Sequence, residues 1–221
     1  MESSIASYKQ NGFLEGSKFP AGENAKRVIA SDLAQSAGVP NHTDQAGPIY
    51  FKVQLNCQLF SLEDPARQHF IYYLADETET IGLDGKESHG PYAVISMVDY
   101  YLKKHDHGEK VLVVYCDNCA GQNRNRFLMA YWARLMKTDR YKDVETHFLL
   151  VGHTKFTPDA LFGRWKKVFR SRNTDLPEDL KTTVGNDFPN TTTCKYSDEP
   201  DFKWFDWKTH LDERYEPVVV I

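Results

Sequence analysis

The sequence predicts an α/β fold with one mixed sheet and helices on both faces. Three strand-like segments follow one another with no helix between them, which is typical of an antiparallel meander. Strand-like and helical segments then alternate, and this order requires parallel neighbours joined by right-handed crossovers. With 221 residues, 41% of them hydrophobic, the chain can bury one sizeable core.

The meander is predicted from three runs rich in β-branched and aromatic residues, at 27–34, 49–60 and 69–75. The first run contains Asp32 near its end. A helix over 92–102 follows the start signal Ser88-His89-Gly90-Pro91, because apolar residues then recur at helical spacing. The apolar run from Val111 is a fourth strand, which ends in Asp117.

Two more helices and one strand complete the alternation. The segment 123–137 places Leu128, Tyr131, Trp132 and Leu135 on one face of a helix. A strand over 144–151 comes next, and Thr157-Pro158-Asp159 then begins the last helix. This order is that of a ribonuclease H-like fold, in which the ends of the first and fourth strands lie side by side and the last helix faces both. Asp32, Asp117 and Asp159 occupy those three places.

Five segments resemble a poorly characterised family of ribonuclease H-like domains in transposon-derived proteins. They are Ser31-Asp32-Leu-Ala-Gln35, Gly47-Pro-Ile-Tyr-Phe-Lys52, Tyr73-Leu-Ala-Asp-Glu77, Asp117-Asn-Cys-Ala-Gly-Gln-Asn-Arg-Asn125 and Gly152-His-Thr-Lys-Phe-Thr-Pro-Asp-Ala-Leu-Phe-Gly163. The resemblance covers residues 28–169 and implies a DDE/DDD-type transposase or integrase core. Family members usually read Asp-Phe-Ala-Gln where this chain has Asp32-Leu-Ala-Gln35, and this departure keeps the acid.

The three acids suit phosphodiester cleavage or strand transfer on DNA with two Mg²⁺ or Mn²⁺ ions. Two such ions about 4 Å apart stabilise the attacking and the leaving oxygen, and Mg²⁺ prefers hard oxygen ligands. We assign Asp117 as the bridging ligand, Asp32 to one metal and Asp159 as the third acid. Each acid also has a structural interpretation, with Asp159 favoured by a helix dipole, Asp32 as a cap and Asp117 in an Asx turn. Asp76 and Glu77 are reserve candidates for a further ligand, and a plain solvated strand end is the favoured alternative.

The basic charge is concentrated after the Asp117 motif, although the net charge is only −4. Residues 124–172 hold 12 Lys and Arg against 4 Asp and Glu, while the remainder holds 15 against 27. A polyanion groove or a solvated helix face explains this excess. The nucleic-acid-binding candidates are Asn118, Gln122, Asn123, Arg124, Asn125, Arg126, His153, Lys155, Arg164 and Lys167. For the first six, a plain turn is the alternative interpretation.

The four cysteines are too few and too scattered for a disulfide framework. Cys116 and Cys119 have zinc-ligand spacing, but no second pair completes the four ligands, so buried thiols are favoured. No apolar run is long enough to span a membrane, and the start of the chain lacks a secretory signal. We therefore expect an intracellular protein. If the organism is eukaryotic we expect a nuclear one, because the implied substrate is DNA.

The predicted organisation is a loose arm over 1–27, the catalytic core over 28–172 and an acidic, aromatic extension over 173–221. The aromatic residues of that extension stack on unpaired bases or pack on their own domain. DNA, or RNA, is the expected partner, with a homo-oligomer forming on it and target recognition by a separate domain outside this chain. The alternative function is a catalytically inactive, domesticated domain that binds nucleic acid or protein.

Overall fold

The computed structural model describes residues 22–23, 25–34, 36–44, 47–65, 69–77, 79, 90–149, 157–187, 191–195 and 198–216. Within these ranges seven strands form one mixed sheet. The strands are β1 Lys26–Leu33, β2 Ala37–Val39, β3 Leu55–Asp64, β4 His69–Asp76, β5 Val111–Asp117, β6 Asp143–Leu149 and β7 Thr191–Lys195. Their order is β6-β5-β1-β3-β4-β7, and β2 pairs with β3 beside this path.

Six helices accompany the sheet in the described ranges: α1 Gly47–Tyr50, α2 Pro91–Lys104, α3 Arg126–Lys137, α4 Thr157–Arg170, α5 Pro177–Asp187 and α6 Trp207–Asp212. The pairs β1–β3 and β3–β4 are antiparallel, whereas β1–β5 and β5–β6 are parallel. The predicted meander and the parallel half are therefore confirmed. The chain has the ribonuclease H-like α/β fold, with β1 and β5 as central parallel neighbours.

The predicted strand over 49–60 is wrong in its first part. Residues 47–50 form the short helix α1, and β3 begins only at Leu55. Pro48 explains the difference, because its fixed φ favours the first turn of a helix and it cannot donate to a strand ladder. The β-type residues that follow Pro48 therefore do not extend the strand.

The two faces of the sheet carry separate cores. On one face, Ile29, Phe60 and Tyr73 pack in a cluster with the buried sides of α2, α3 and α6. On the other face, the buried residues of β3 and β4 pack against α4 and α5. A smaller cluster of β1 and β5 residues, which includes Ala30, lies on this second face. Ala30 is opposite Glu63 in the sheet, and Glu63 points to the same face as Leu59 because alternate residues of a strand share a face.

Residues after Arg172 are integrated into both parts of this structure. β7 pairs in parallel with β4, so it extends the sheet. Trp207 is buried in the core of α2 and α3, and its indole Nε1 donates to Ser96 Oγ at 3.0 Å. The aromatic residues Phe202 and Trp207 therefore pack on their own domain, which was one of the two interpretations of this segment. No helix in the described ranges is long and apolar enough to cross a membrane.

A buried ion cluster lies at the amino-terminal end of β1. Arg27 has no exposed side-chain surface, and its Nη2 lies 3.2 Å from Asp64 Oδ2, which is also fully buried. Glu109, buried as well, has Oε2 at 3.8 Å from Arg27 Nη1. The hydroxyl of Tyr101 donates to Asp64 at 3.1 Å, so one guanidinium and its neighbours join β1, β3 and α2.

Candidate metal and nucleic-acid site

Asp32 and Asp117 end neighbouring parallel strands on the same face of the sheet. The β1–β5 register runs to Ser31 opposite Cys116, so the two aspartates are the next pair along the strands. Asp32 alternates with Val28 and Ala30, and Asp117 with Val113 and Tyr115, which form one cluster. Adjacent strands lie about 4.8 Å apart, a separation at which two carboxylates can share a cation. The structure therefore brings together two of the three predicted acids.

Helix α4 packs on the face towards which both aspartates are directed. Its residues Leu161, Phe162 and Trp165 are buried against Leu59 and Tyr72 of the sheet. Asp159 belongs to the first turn of this helix. Its side chain is outside the described part of the structure. Among the side chains that are described, no group of three His, Cys, Asp or Glu is placed to hold a metal ion.

Cys116 is a buried thiol. Its side chain has no solvent exposure, and its pKa is raised to about 12 by burial first and then by the charges of Asp117 and Asp32. Cys116 is therefore buried as expected, whereas Cys119 is partly exposed.

The polar residues after β5 form hydrogen bonds with one another. The amides of Gln122, Asn123 and Arg124 all donate to the carbonyl oxygen of Cys119, at 3.3, 2.8 and 3.0 Å. The side-chain amide of Asn123 donates to Oδ1 of Asp117. Arg124 Nη1 donates to Asn118 Oδ1 at 3.3 Å. Three of the predicted nucleic-acid contacts, Asn118, Asn123 and Arg124, are therefore engaged within the loop.

The last two residues of the motif anchor α3. Asn125 is the N-cap, and its Oδ1 accepts from the amides of Phe127 at 3.1 Å and Leu128 at 3.0 Å. Arg126 Nη2 forms an ion pair with Asp212 of α6 at 2.9 Å. These contacts agree with the alternative interpretation, in which the motif only forms a turn. Among the six motif residues, Gln122 alone has no side-chain hydrogen bond or ion pair in the described structure.

The exposed side of α4 carries basic residues. Arg164 and Lys167, both predicted to bind nucleic acid, are exposed, as is Arg170. Within the described ranges none of the three has an ion-pair partner. Gly163 is on the same exposed side, and a Cβ atom added there would meet nothing within 4 Å. His153 and Lys155, the other two candidates, are outside the described residues.

A polar row beside the acid pair was not predicted. Asp32 is opposite Ser61 on β3, and Ser61 is opposite Tyr72 on β4. Ser61 and Tyr72 are fully buried, and neither hydroxyl has a partner in the described structure. Burial, followed by the charge of Glu63, raises the pKa of Tyr72 above its usual range. The polar residues Ser61 and Glu63, at alternate positions in the buried half of β3, were the available signal.

The reserve acids lie further along the sheet. β4 is two strands from β1, about 10 Å away at strand spacing. Asn56 Nδ2 donates to Oε2 of Glu77 at 3.0 Å, and Glu77 N donates to Asn56 O at 2.9 Å. Glu77 thus has the contacts of an ordinary strand end.

The fold and the paired aspartates define the chain as a ribonuclease H-like α/β domain. Residues 85–219 match the model of the family described as Domain of unknown function (DUF7869), and the chain belongs to that family. No curated protein matches it. One chain of a solved structure described as "CryoEM structure of simian T-cell lymphotropic virus intasome in complex with PP2A regulatory subunit B56 gamma" is similar at 11% identity and a TM-score of 0.40. That match covers 87% of this chain, which spans 58% of the other chain.

Proposed function

We propose that this domain cleaves phosphodiesters or transfers strands on DNA, with two divalent cations held by Asp32, Asp117 and Asp159, as a transposase-derived core. The observation that carries the proposal is the placement of Asp32 and Asp117 at the ends of adjacent parallel strands, facing α4. In open α/β sheets, ligands bind outside the carboxyl ends of strands at such positions. Position 159 belongs to the first turn of α4, the helix that packs on this face of the sheet.

The donor set fits Mg²⁺ or Mn²⁺. Two carboxylates at one level supply hard oxygen atoms, and the adjacent Cys116 alternates with Asp117, so its side chain lies on the other face of the sheet. When bound, the cations would stabilise the attacking and leaving oxygens of an in-line displacement at phosphorus. The residues of this chain hold the carboxylates at a partly buried edge, where Asp32 is 9% exposed.

The exposed basic side of α4 supplies the proposed contact with the DNA backbone. Arg164, Lys167 and Arg170 are spaced to lie on one side of the helix, and that helix begins at the proposed catalytic edge. Neutralisation of phosphates by Lys and Arg releases counterions and makes binding depend on salt. A duplex lying along α4 would therefore be held next to the acids.

The test of catalysis compares Asp117→Asn with a matched control. Asp143→Asn changes an exposed aspartate at the start of β6, at the opposite end of the strands. We expect the wild type and Asp143→Asn to bind Mn²⁺ and to nick supercoiled DNA with Mg²⁺ or Mn²⁺. Asp117→Asn should lose both properties and still unfold at a similar temperature. Calorimetry and a plasmid-nicking assay measure these outcomes.

The same assays distinguish the alternative function. An inactive interaction module would bind DNA without nicking it, and Asp117→Asn would leave both metal binding and DNA binding unchanged. That result would refute the catalytic proposal. Substitution of Arg164 and Lys167 by Ala tests the DNA contact separately, since each lost phosphate contact should reduce the salt slope of binding by about 1.

A further inference from the structure

The loop from Asp117 to Asn125, here called the Asp117 loop, contains a candidate metal ligand. Its glycine and polar residues suggest a flexible backbone, but hydrogen bonds fix it. One carbonyl, that of Cys119, accepts the amides of three successive residues, 122, 123 and 124. These bonds fix the backbone around Asn123. The N-cap bonds of Asn125 then attach the end of the loop to α3.

Asn123 stands out within this loop because it is buried. Its side chain is 2% exposed, whereas its neighbours Gln122 and Arg124 are partly exposed. Its amide nitrogen donates to Oδ1 of Asp117. Within the described structure, Oδ2 of Asp117 accepts no hydrogen bond. One oxygen of the Asp117 carboxylate is therefore fixed by a buried side chain of the protein.

We infer that Asn123 is a positioning residue, which orients the Asp117 carboxylate for a divalent cation and does not itself contact substrate. This inference rests on the proposed function of the site. The physical reason is that a carboxylate rotates about its last bond unless a neighbour fixes it, and a buried amide donor removes that freedom before the cation arrives. Groups that hydrogen-bond to metal ligands typically contribute 10- to 100-fold in metal affinity.

The polar residues that follow Asp117 have a different role in the structure from the one their sequence suggested. The sequence pattern of Asn, Gln and Arg after Asp117 suggested contacts with phosphate, but Asn123 points its amide at the carboxylate and Arg124 points its guanidinium at Asn118. In this arrangement the polar side chains of Asn123 and Arg124 serve the Asp117 loop itself.

The experiment uses the full chain and Mn²⁺ as the probe. Asn123→Leu keeps a similar volume and removes the donor. We expect its Kd for Mn²⁺, measured by calorimetry, to rise by 10- to 100-fold. Asn125→Ala is the matched control from the same loop, since it removes the helix cap. It should lower the unfolding temperature but leave the Kd for Mn²⁺ within about twofold of the wild type, because in the described structure its side chain accepts from the backbone amides of α3 and does not contact Asp117.

Two results would overturn the inference. The first is an Asn123→Leu protein that binds Mn²⁺ within twofold of the wild type while Asp117→Asn loses binding. The second is an equal loss of Mn²⁺ affinity in Asn123→Leu and Asn125→Ala when both variants lose the same stability. Asn123 would then affect metal binding through folding alone. If Asp117→Asn binds Mn²⁺ as the wild type does, it is the proposed function that fails. Should Asn123→Leu not fold, Asn123→Ser, whose hydroxyl is one bond shorter, is judged by the same criteria.

Discussion

Replacement of Arg27 by Met should be among the most destabilising single changes in this domain. Arg27, Asp64 and Glu109 have fully buried side chains, and the guanidinium is a positive charge that both acids face. Burial by itself lowers the pKa of Arg27, but Tyr101, Asp64 and Glu109 outweigh it and raise the pKa above its ordinary value. The arginine is therefore charged at any pH at which the protein is folded.

The size of the effect follows from the uncompensated charge that the substitution leaves. Removal of one partner from a buried ion pair costs about 3–5 kcal/mol, because the other charge stays buried. In a domain of this length, 1 kcal/mol corresponds to roughly 2–4 °C in unfolding temperature, so Arg27→Met should unfold roughly 10 °C lower.

Urea unfolding followed by circular dichroism measures this effect, with Lys26→Met as the control. Lys26 is the adjacent residue and pairs with Glu145 at 3.3 Å, but both side chains are more than a third exposed. An exposed pair of this kind contributes about 0–1 kcal/mol. Arg27→Met and Lys26→Met proteins of equal stability would refute the reasoning, because the buried cluster would then contribute no more than a surface pair.

Three further outcomes test the description of individual residues. Cys119 should react with iodoacetamide at pH 8 in the native protein, whereas Cys116, buried and with its pKa raised to about 12, should not, as mass spectrometry would show. Burial also raises the pKa of Cys57 to about 12, so as the pH rises both thiols ionise in the unfolded chain before they do so in the folded protein. The free energy of unfolding should therefore fall between about pH 9 and pH 12. A free energy of unfolding that does not change over this range would contradict the prediction. Gly163→Ala should raise stability by about 0.5–1 kcal/mol, since the helix has room for a Cβ, and an unchanged unfolding temperature would refute that expectation.

The sequence was sufficient for the order of strands and helices because their periodicities are strong. Alternating helix and strand imply parallel pairing, and parallel pairing brings the ends of β1 and β5 to one edge. The positions of Asp32 and Asp117 could therefore be deduced from strand ends alone. Helix α1 was not predicted because residues with a high propensity for strands follow Pro48. These residues favour a strand, whereas proline favours the first turn of a helix.

The partners of polar residues were harder to predict, because they come from distant segments. Arg27 appeared as an ordinary strand residue, and only the fold shows that Asp64 and Glu109 reach it. Arg126 appeared as a phosphate contact, and only the position of α6 shows that it pairs with Asp212. A basic residue in a sequence carries the same charge in either role, so pattern alone cannot separate a structural cation from a binding one.

The excess of basic residues over 124–172 divides in the structure into two groups that should respond differently to substitution. In and after α3, Arg134 lies over the ring of Trp207 at 5.4 Å and Arg140 pairs with Asp106 at 3.0 Å. On α4, Arg164 and Lys167 are exposed and have no ion-pair partner in the described ranges.

We therefore expect Arg134→Ala to lower the unfolding temperature and leave DNA affinity unchanged. Arg164→Ala should weaken DNA binding at low salt and leave the unfolding temperature unchanged, because an exposed helix residue contributes little to stability. Filter binding over a salt series and thermal unfolding of both variants measure this contrast. Equal losses of DNA affinity in the two variants would mean that the protein binds DNA through its overall basic charge, and α4 would then have no special position beside the acids.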